Sequence, residues 1–494
     1  MNANNHQSLS AQARVKPIIR PEHIGFLAII VCVIVGGIAL TAPWPFMLIP
    51  FGLILGGVFV TLSIKYPMFI YSVYMIIFLF RPQEMYPQLY LIPFEKILIV
   101  ILAVSYIINS PTKIKNFKFY DLDWAFIFFI VAVFLSIMGA EDLYRAKNQF
   151  ISLINLFIMY LFTVRIIKSE KKLKFIIWIY AASMIYVAIN STIGYYSGDF
   201  EVRQGIQRAH NVAGPLAAYA DPNSMAASLM LCLPFIIVLF RDSKSTIVKL
   251  VLLASVMLCI WTVIITGSRS GMLTTIIALL ILALHTKYKF ATIIGALIVI
   301  AAFSVLMPDQ YVSRFQTIFT AFDEENDETG AGASARGRIN GLLLGIQFCM
   351  EHPLTGVGVG NFAKQHRLQQ GGDYTDAHNL LGKILGELGL IGLFTYIYFI
   401  VKYIKNLRLV KFKFKKFAEN PSPFMYNLRD AIKVGLIMLF VTGLFGHNLY
   451  RYNWFMFASF MMVISNILDT YSQQINQKAK SADKSLPDQA SIPA

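Results

Sequence analysis

Residues 246–286 read TIVKLVLLASVMLCIWTVIITGSRSGMLTTIIALLILALHT. The runs 246–266 and 270–286 are apolar almost throughout, and each approaches the length that a ~30 Å hydrocarbon layer demands of a helix. Only Thr266-Gly267-Ser268-Arg269-Ser270-Gly271 separates them, so the pair predicts two membrane spans joined by a tight turn. The same pattern recurs along the chain, at 24–42, 44–62, 66–80, 96–110, 124–139, 150–167, 172–194, 223–240, 289–307, 381–403, 432–447 and 452–469. Composition agrees. Charged residues make up 14% of the 494, against roughly 25% in soluble domains, while 56% are hydrophobic and mean hydropathy is +0.60. A chain this apolar is not a string of soluble domains, and the short alternating segments of a porin-type barrel are missing. The expected fold is an all-α integral membrane protein of about 12–14 transmembrane helices with one large outer loop that carries amphipathic helices.

Charge sets the orientation. Lys and Arg are retained on the cytoplasmic side of short loops. With both termini inside, about 29 of the 43 Lys and Arg fall inside and about 14 outside. The net charge of +16 is therefore mainly a topology signal, which removes nucleic acid as the expected partner and leaves membrane lipids. The densest inside cluster, Lys402, Lys405, Arg408, Lys411, Lys413, Lys415 and Lys416, reads as a solvated loop against the membrane. Met1 to Pro21 is polar, and no secretory signal is expected ahead of the first span. Cys32, Cys232, Cys259 and Cys349 show no paired spacing. The expected organisation is a cytoplasmic tail over 1–22, a bundle of about eleven spans over 23–307, an outer loop over 308–380, C-terminal spans over 381–470 and a disordered cytoplasmic tail over 471–494.

The outer loop interrupts the rhythm of short hairpins, and long connections of this kind tend to be functional. Its acidic stretch, Asp323 to Gly330, lacks a calcium-loop pattern and reads as solvated. An amphipathic helix is expected from Ser334, because Ile339, Leu342, Leu343, Ile346 and Met350 recur at helical spacing. Pro353 ends it, and Gly356, Gly358 and Gly360 form the turn that follows.

Outside, Arg outnumbers Lys: Arg81, Arg145, Arg203, Arg208, Arg269, Arg314, Arg336, Arg338, Arg367 and Arg451. The guanidinium fork matches phosphate oxygens and holds its charge in partly dry sites; any one of these could equally be an interfacial side chain reaching lipid headgroups. Arg269 stands out, since a charge between two spans with almost no loop is costly and points to function. Ser268, Ser270 and the flanking glycines allow close approach, and the next helix offers its N-terminal end to an anion. A second group is Asp376-Ala377-His378-Asn379, directly before the span that starts near Leu380. Asp376 or Asn379 can cap that helix. A histidine at a helix N-terminus is held neutral, as a general base requires. Lys383 and Glu387 lie four apart on one face and can pair. With Glu387 roughly 13 Å along the helix from His378, it suits a supporting role better than a catalytic one. Gly446-His447-Asn448, with Arg451 beside it, partly echoes the second group. No histidine pair has metal-ligand spacing, so neither metal nor other cofactor is expected.

Gly267-Ser268-Arg269-Ser270-Gly271, Arg338, Pro353-Leu354-Thr355-Gly356-Val357-Gly358, and His378-Asn379 followed by Gly389 and Gly392 together resemble the O-antigen ligase and polymerase superfamily. The combination is specific, and it is firmest over about residues 200–405. Phe80-Arg81-Pro82-Gln83-Glu84 and Asp221-Pro222-Asn223 resemble a subgroup of O-glycosylation ligases that accompany exosortase systems. The resemblance implies an inverting glycosyltransferase in the bacterial inner membrane. It would move a glycan from undecaprenyl pyrophosphate to a hydroxyl of lipid A core or protein on the periplasmic face, without metal. Carried over by matching motif, Arg269 and Arg338 would bind the pyrophosphate, and His378 would activate or orient the acceptor hydroxyl; from the residue reading, Arg336 and Arg203 are expected to help bind the pyrophosphate, and Asn379, Glu387, Ser268, Ser270, Asn223 and His447 to support the site. Gly341 departs from the pattern, since many members carry Trp three residues after this arginine. Two alternatives stay open: a polymerase that extends a glycan still on its lipid, and a transporter of lipid-linked sugar. Transporters often show inverted repeats with paired broken helices, and no such repeat is visible here.

Overall fold

The apolar runs form helices in the computed structural model, which describes residues 48–82, 89, 92–110, 119–203, 206–210, 221–284, 294, 311–312, 331–371, 376–417, 422–446 and 448–483. The expected spans 24–42 and, save one residue, 289–307 lie outside them, as do the acidic stretch 323–330 and His447.

The chain divides into two compact units, Met1–Ile70 with Ile101–Asn109, and Tyr71–Val100 with Ser110–Ala494. In the first, α1 (Leu48–Lys65) ends just before Pro67, which opens α2 (Pro67–Phe80). Carbonyls in the last turn of a helix lack helical donors. Here Ser105 Oγ and Asn109 Nδ2, on α3 (Phe94–Asn109), donate to the Ile64 carbonyl at 3.1 and 2.6 Å.

The second unit holds α4 (Asp121–Ser136) with a 3-10 turn at Ile137–Gly139, α5 (Leu143–Ile166), α6 (Glu170–Tyr196), α7 (Pro222–Asp242), α8 (Thr246–Ile265) and α9 (Arg269–Leu284). After the outer loop come α10 (Ala331–Glu351), α11 (Phe362–Gln370), α12 (Leu380–Phe417), α13 (Pro423–Phe445) and α14 (Tyr452–Asp483). Among the described residues six helices are long and apolar enough to cross a membrane: α4 with its 3-10 turn, α5, α6, α7, α8 and α12. The α1–α2 pair would make a seventh. The protein is an all-α, multi-pass membrane protein.

Three details differ from the sequence reading. A small antiparallel hairpin, β1 (Glu201–Arg203) with β2 (Ile206–Arg208), follows α6, its alternation of buried Ile206, exposed Gln207 and buried Arg208 being too short to stand out. The basic run after residue 401 is not a loop. It continues α12, because Tyr403, Val410 and Phe414 bury one face while Lys402 and Lys413 pair with Asp121 and Asp469 at 2.9 and 2.6 Å. The last helix runs on to Asp483, past the expected start of the tail, through the polar helix formers after Tyr471.

An aromatic cluster joins four of the helices. Phe126 of α4 stacks on Phe455 of α14 with ring centroids 4.4 Å apart, and meets Phe399 of α12 and Tyr160 of α5 at 4.6 and 4.7 Å. Such pairs add roughly 0.5–1.5 kcal/mol each beyond the area they bury. Toward one end of these helices, Arg165 donates to Asp123 Oδ2 at 2.6 Å and Tyr160 OH to Asp123 Oδ1 at 2.7 Å, all three buried. At the other end the chain builds the candidate site.

Candidate functional site

Glycine determines how the outer segments seat on α12. A Cβ on Gly341 would collide with the Ala377 carbonyl, and one on Gly345 with the Gly382 backbone, so α10 lies directly against the start of α12. Gly341 is thus a requirement of this chain's packing, where a Trp could not fit without moving residue 377. Further along, α12 breaks at Gly389, whose φ of 62° is left-handed, a conformation glycine adopts without steric cost. The break frees main-chain donors for the loop after α10. Leu390 N–H donates to the Pro353 carbonyl at 2.8 Å, Ile391 N–H to Leu354 at 3.2 Å, and Val357 N–H to the Gly386 carbonyl at 2.8 Å. The loop's far side is held too: Val359 N–H donates to Ser136 Oγ at 3.2 Å, and Asp142 N–H to Asn361 Oδ1 at 2.8 Å. The Pro-Leu-Thr-Gly-Val-Gly and Gly-x-x-Gly motifs are two halves of one main-chain contact.

That seating presents Asp376 to Asn379 at the head of α12. Asn379 is the cap, its Oδ1 accepting from Gly382 N–H at 3.0 Å. Asp376 instead accepts from the Ala377 N–H at 2.8 Å and from Lys383 Nζ at 2.6 Å. His378 between them has φ of 44°, one of two non-glycine residues with positive φ among the described residues; the other is Arg81 at 49°. Left-handed backbone at a non-glycine residue costs about 1–3 kcal/mol and clusters at functional sites. Burial lowers the pKa of the half-buried His378 below its ordinary value. Arg338 and Lys383 reinforce that shift, and Asp376 and Asp221 oppose it. The shift favours the neutral imidazole, and its cause is burial where the sequence reading looked to the helix end.

Arg338, on α10, donates from Nε to the Phe445 carbonyl at 3.4 Å and lies over the Phe445 ring. Burial disfavours its charge first, and the positive charge of Arg269 adds to that. Arg338 is therefore within electrostatic reach of both Arg269 and His378. The three residues that the sequence singled out converge from α9, α10 and the head of α12.

The Arg269 turn is built from behind. Ser268, fully buried, caps α9 by accepting from Gly271 N–H at 3.1 Å, and its hydroxyl lies 3.2 Å from that of Ser270. Arg208, only 2% exposed, donates to the Thr266 carbonyl at 2.7 Å and to Asn223 Oδ1 at 2.9 Å. Asp221 caps α7 beside it, accepting from Ser224 N–H at 2.7 Å. Ser268 and Asn223 thus shape the turn. Arg203 lies on β1 and Arg336 on α10, and their side chains, like His447, fall outside what is described.

Sequence reasoning found the Lys383–Glu387 pair, seen at 3.5 Å, but missed how far its network extends. Asp376 joins from before the helix, and Tyr450 OH donates to Glu387 Oε2 at 2.8 Å. The Tyr450 phenol is pushed well above its ordinary value, by burial first and then by the Glu387 and Asp376 charges, so it stays a donor. Asp376 and Lys383 also line a cavity of about 530 Å³ together with Arg81, Ser152, Asn155 and Arg451. Arg451 is anchored by the Ser224 carbonyl and Ser228 Oγ, both at 3.1 Å. Arg81 and Arg451 did stand among the outward arginines; nothing in the sequence brings them together.

Residues 254–397 match the family profile described as O-antigen ligase. The resemblance to the O-antigen ligase and polymerase superfamily holds over this stretch, which contains Arg269, Arg338 and His378. The teichuronic acid biosynthesis protein TuaE of Bacillus subtilis (strain 168) is 22% identical over 310 residues, 59% of this chain and 62% of the relative. The chain thus spans somewhat under two thirds of that relative's length.

Proposed function

We propose that this protein is an O-antigen ligase-like glycosyltransferase that moves a glycan from undecaprenyl pyrophosphate to an acceptor hydroxyl, with inversion, on the periplasmic face of the bacterial inner membrane. The observation that carries the reading is the seating of α10 on the head of α12, where Gly341 packs on the Ala377 backbone beside His378 and Arg338, one turn earlier, is bonded to the Phe445 carbonyl. Two half-buried arginines that repel one another are stabilised by an anion between them, and a pyrophosphate supplies one. In the reaction, the acceptor oxygen attacks the anomeric carbon and its proton passes to the His378 imidazole. The bond from that carbon to the phosphate oxygen breaks, and its electron pair leaves with the lipid pyrophosphate. Each charge-assisted hydrogen bond to the leaving group is worth roughly 1.5–3 kcal/mol, so two or three arginine contacts can provide the stabilisation that a metal ion gives other transferases.

A second reading, the polymerase, draws support from the relative's name, which places that protein in teichuronic acid biosynthesis. Reconstitution with a defined lipid-linked glycan and candidate acceptors tests both. The ligase reading expects product on the acceptor; a ladder that stays lipid-linked would favour the polymerase. Full activity in Arg269→Ala, Arg338→Ala and His378→Ala would remove the site assignment from both.

A further inference from the structure

A surface separate from the proposed transfer reaction lies where α4 runs beside α12. Each helix carries an exposed stripe at helical spacing. On α4 it is Val131, Phe128 and Trp124, ending at Asp121; on α12 it is Phe394, Tyr398 and Val401, continuing into Lys405 and Arg408. The stripes meet through their rings: the centroid of Phe128 lies 5.8 Å from that of Tyr398 and 6.2 Å from that of Trp124. Lys402 lies over the Tyr398 ring at 5.2 Å and pairs with Asp121. From within the span outward, the surface passes from aliphatic and phenyl groups, through Trp124 and Tyr398, to cations.

The cations outnumber the carboxylate beside them. Asp121 lies 2.9 Å from Lys402 and 3.8 Å from Lys405, and one carboxylate balances only one ammonium. Arg408 stands one turn further on, exposed. Trp and Tyr gather where hydrocarbon gives way to headgroups, and the charge balance of the chain favours the cytoplasmic side for this end of α12, where the anionic leaflet attracts basic segments. An acidic protein would match the charges and leave the rings and Phe394 unmatched. A lipid matches the whole series: an acyl chain against Phe394 and Val131, the glycerol region against Trp124 and Tyr398, and a phosphate at Lys405 and Arg408. Phe412, 58% exposed one turn beyond Arg408, fits as well, because an apolar ring among basic residues suits a helix face lying in the headgroup layer. We propose that the α4–α12 surface is a binding site for an anionic glycerophospholipid, its phosphate held by Lys405 and Arg408 and an acyl chain laid along the rings.

The test uses the full-length protein in phosphatidylcholine nanodiscs. Its probes are phosphatidylglycerol and phosphatidylcholine with brominated acyl chains, which quench a neighbouring tryptophan, and a glutamate-rich peptide. At equal mole fraction, brominated phosphatidylglycerol should quench wild type more than brominated phosphatidylcholine does. Trp124→Phe should abolish that difference, which assigns it among the five tryptophans of the chain. Lys405→Gln combined with Arg408→Gln changes two exposed positions and keeps the Lys402–Asp121 pair. It should weaken the phosphatidylglycerol titration about tenfold or more with Tm unchanged. Lys171→Gln combined with Lys172→Gln, exposed at the start of α6, should leave the titration where it was. Equal quenching by the two lipids, a preference that survives Trp124→Phe, an equal loss in the α6 pair, or binding of the peptide in place of phosphatidylglycerol would each overturn the proposal. None of these readouts depends on glycan transfer, so the site stands or falls apart from the roles of Arg269, Arg338 and His378.

Discussion

Two charge networks, one between α4 and α5 and one at the head of α12, differ in one respect. Asp123 and Arg165 are 0% and 8% exposed and are joined by Tyr160. Asp376, Lys383 and Glu387, joined by Tyr450, have the same ingredients, but Asp376 is 25% exposed and lines a cavity. Both need their charges matched to survive burial. Only the second can also reach a ligand. A closed network fastens helices, whereas an open one also holds the Asp376–Asn379 segment at the cavity.

The comparison can be broken at its catalytic edge first. His378→Ala should lower kcat by about 10²–10⁴-fold, the range of general-base contributions, in a protein whose Tm and detergent-extracted yield match wild type. Next come Arg269→Ala and Arg338→Ala, each expected to lower kcat/KM by about ten- to a hundredfold through the loss of one charge-assisted bond; Lys in either place should rescue only in part, because the fork is lost. Steady-state kinetics with varied donor separates these outcomes.

Lys383→Met sharpens the contrast. On the proposed mechanism His378 must be neutral to act, and its pKa is held below the ordinary 6.5, so the acid limb of the kcat/KM profile should lie below that pH in wild type. Removing Lys383 takes away a cation that lowers the imidazole pKa and releases Asp376, which raises it. The limb should therefore move to higher pH; a limb that stays put would mean that the network does not reach His378. In the α4–α5 network Arg165→Leu should leave kcat per folded molecule nearly unchanged while costing about 3–5 kcal/mol of stability, seen as a lower Tm. If it altered catalysis as Lys383→Met does, the distinction between closed and open networks would fail.

How much of this could be read from the chain follows from where each partner lies. The spans, the loop helix and the Lys383–Glu387 pair are local patterns. Arg269 was conspicuous because a charge beside an apolar run has few reasons to be there. Arg208 looked just as outward, yet it is a buried anchor whose partners, Thr266 and Asn223, are 58 and 15 residues away. The hairpin that carries it is three residues a side, too short for periodicity to register. The left-handed backbone of His378 was equally invisible, because nothing in Asp-Ala-His-Asn marks it and the close approach of α10 to residue 377 beside it joins segments far apart in the chain.

The break at Gly389 has a use of its own. Within a helix, an amide's exchange with solvent deuterium reports on its neighbours four residues away. Leu390 and Ile391 are bonded instead to Pro353 and Leu354, more than thirty positions back along the chain. Their exchange rates, read against those of Lys402 to Asn406 in the same helix, form an internal gauge of whether the outer loop is seated. A docked loop and a lifted one can thus be told apart in the intact membrane protein, without a label, a ligand or a second structure.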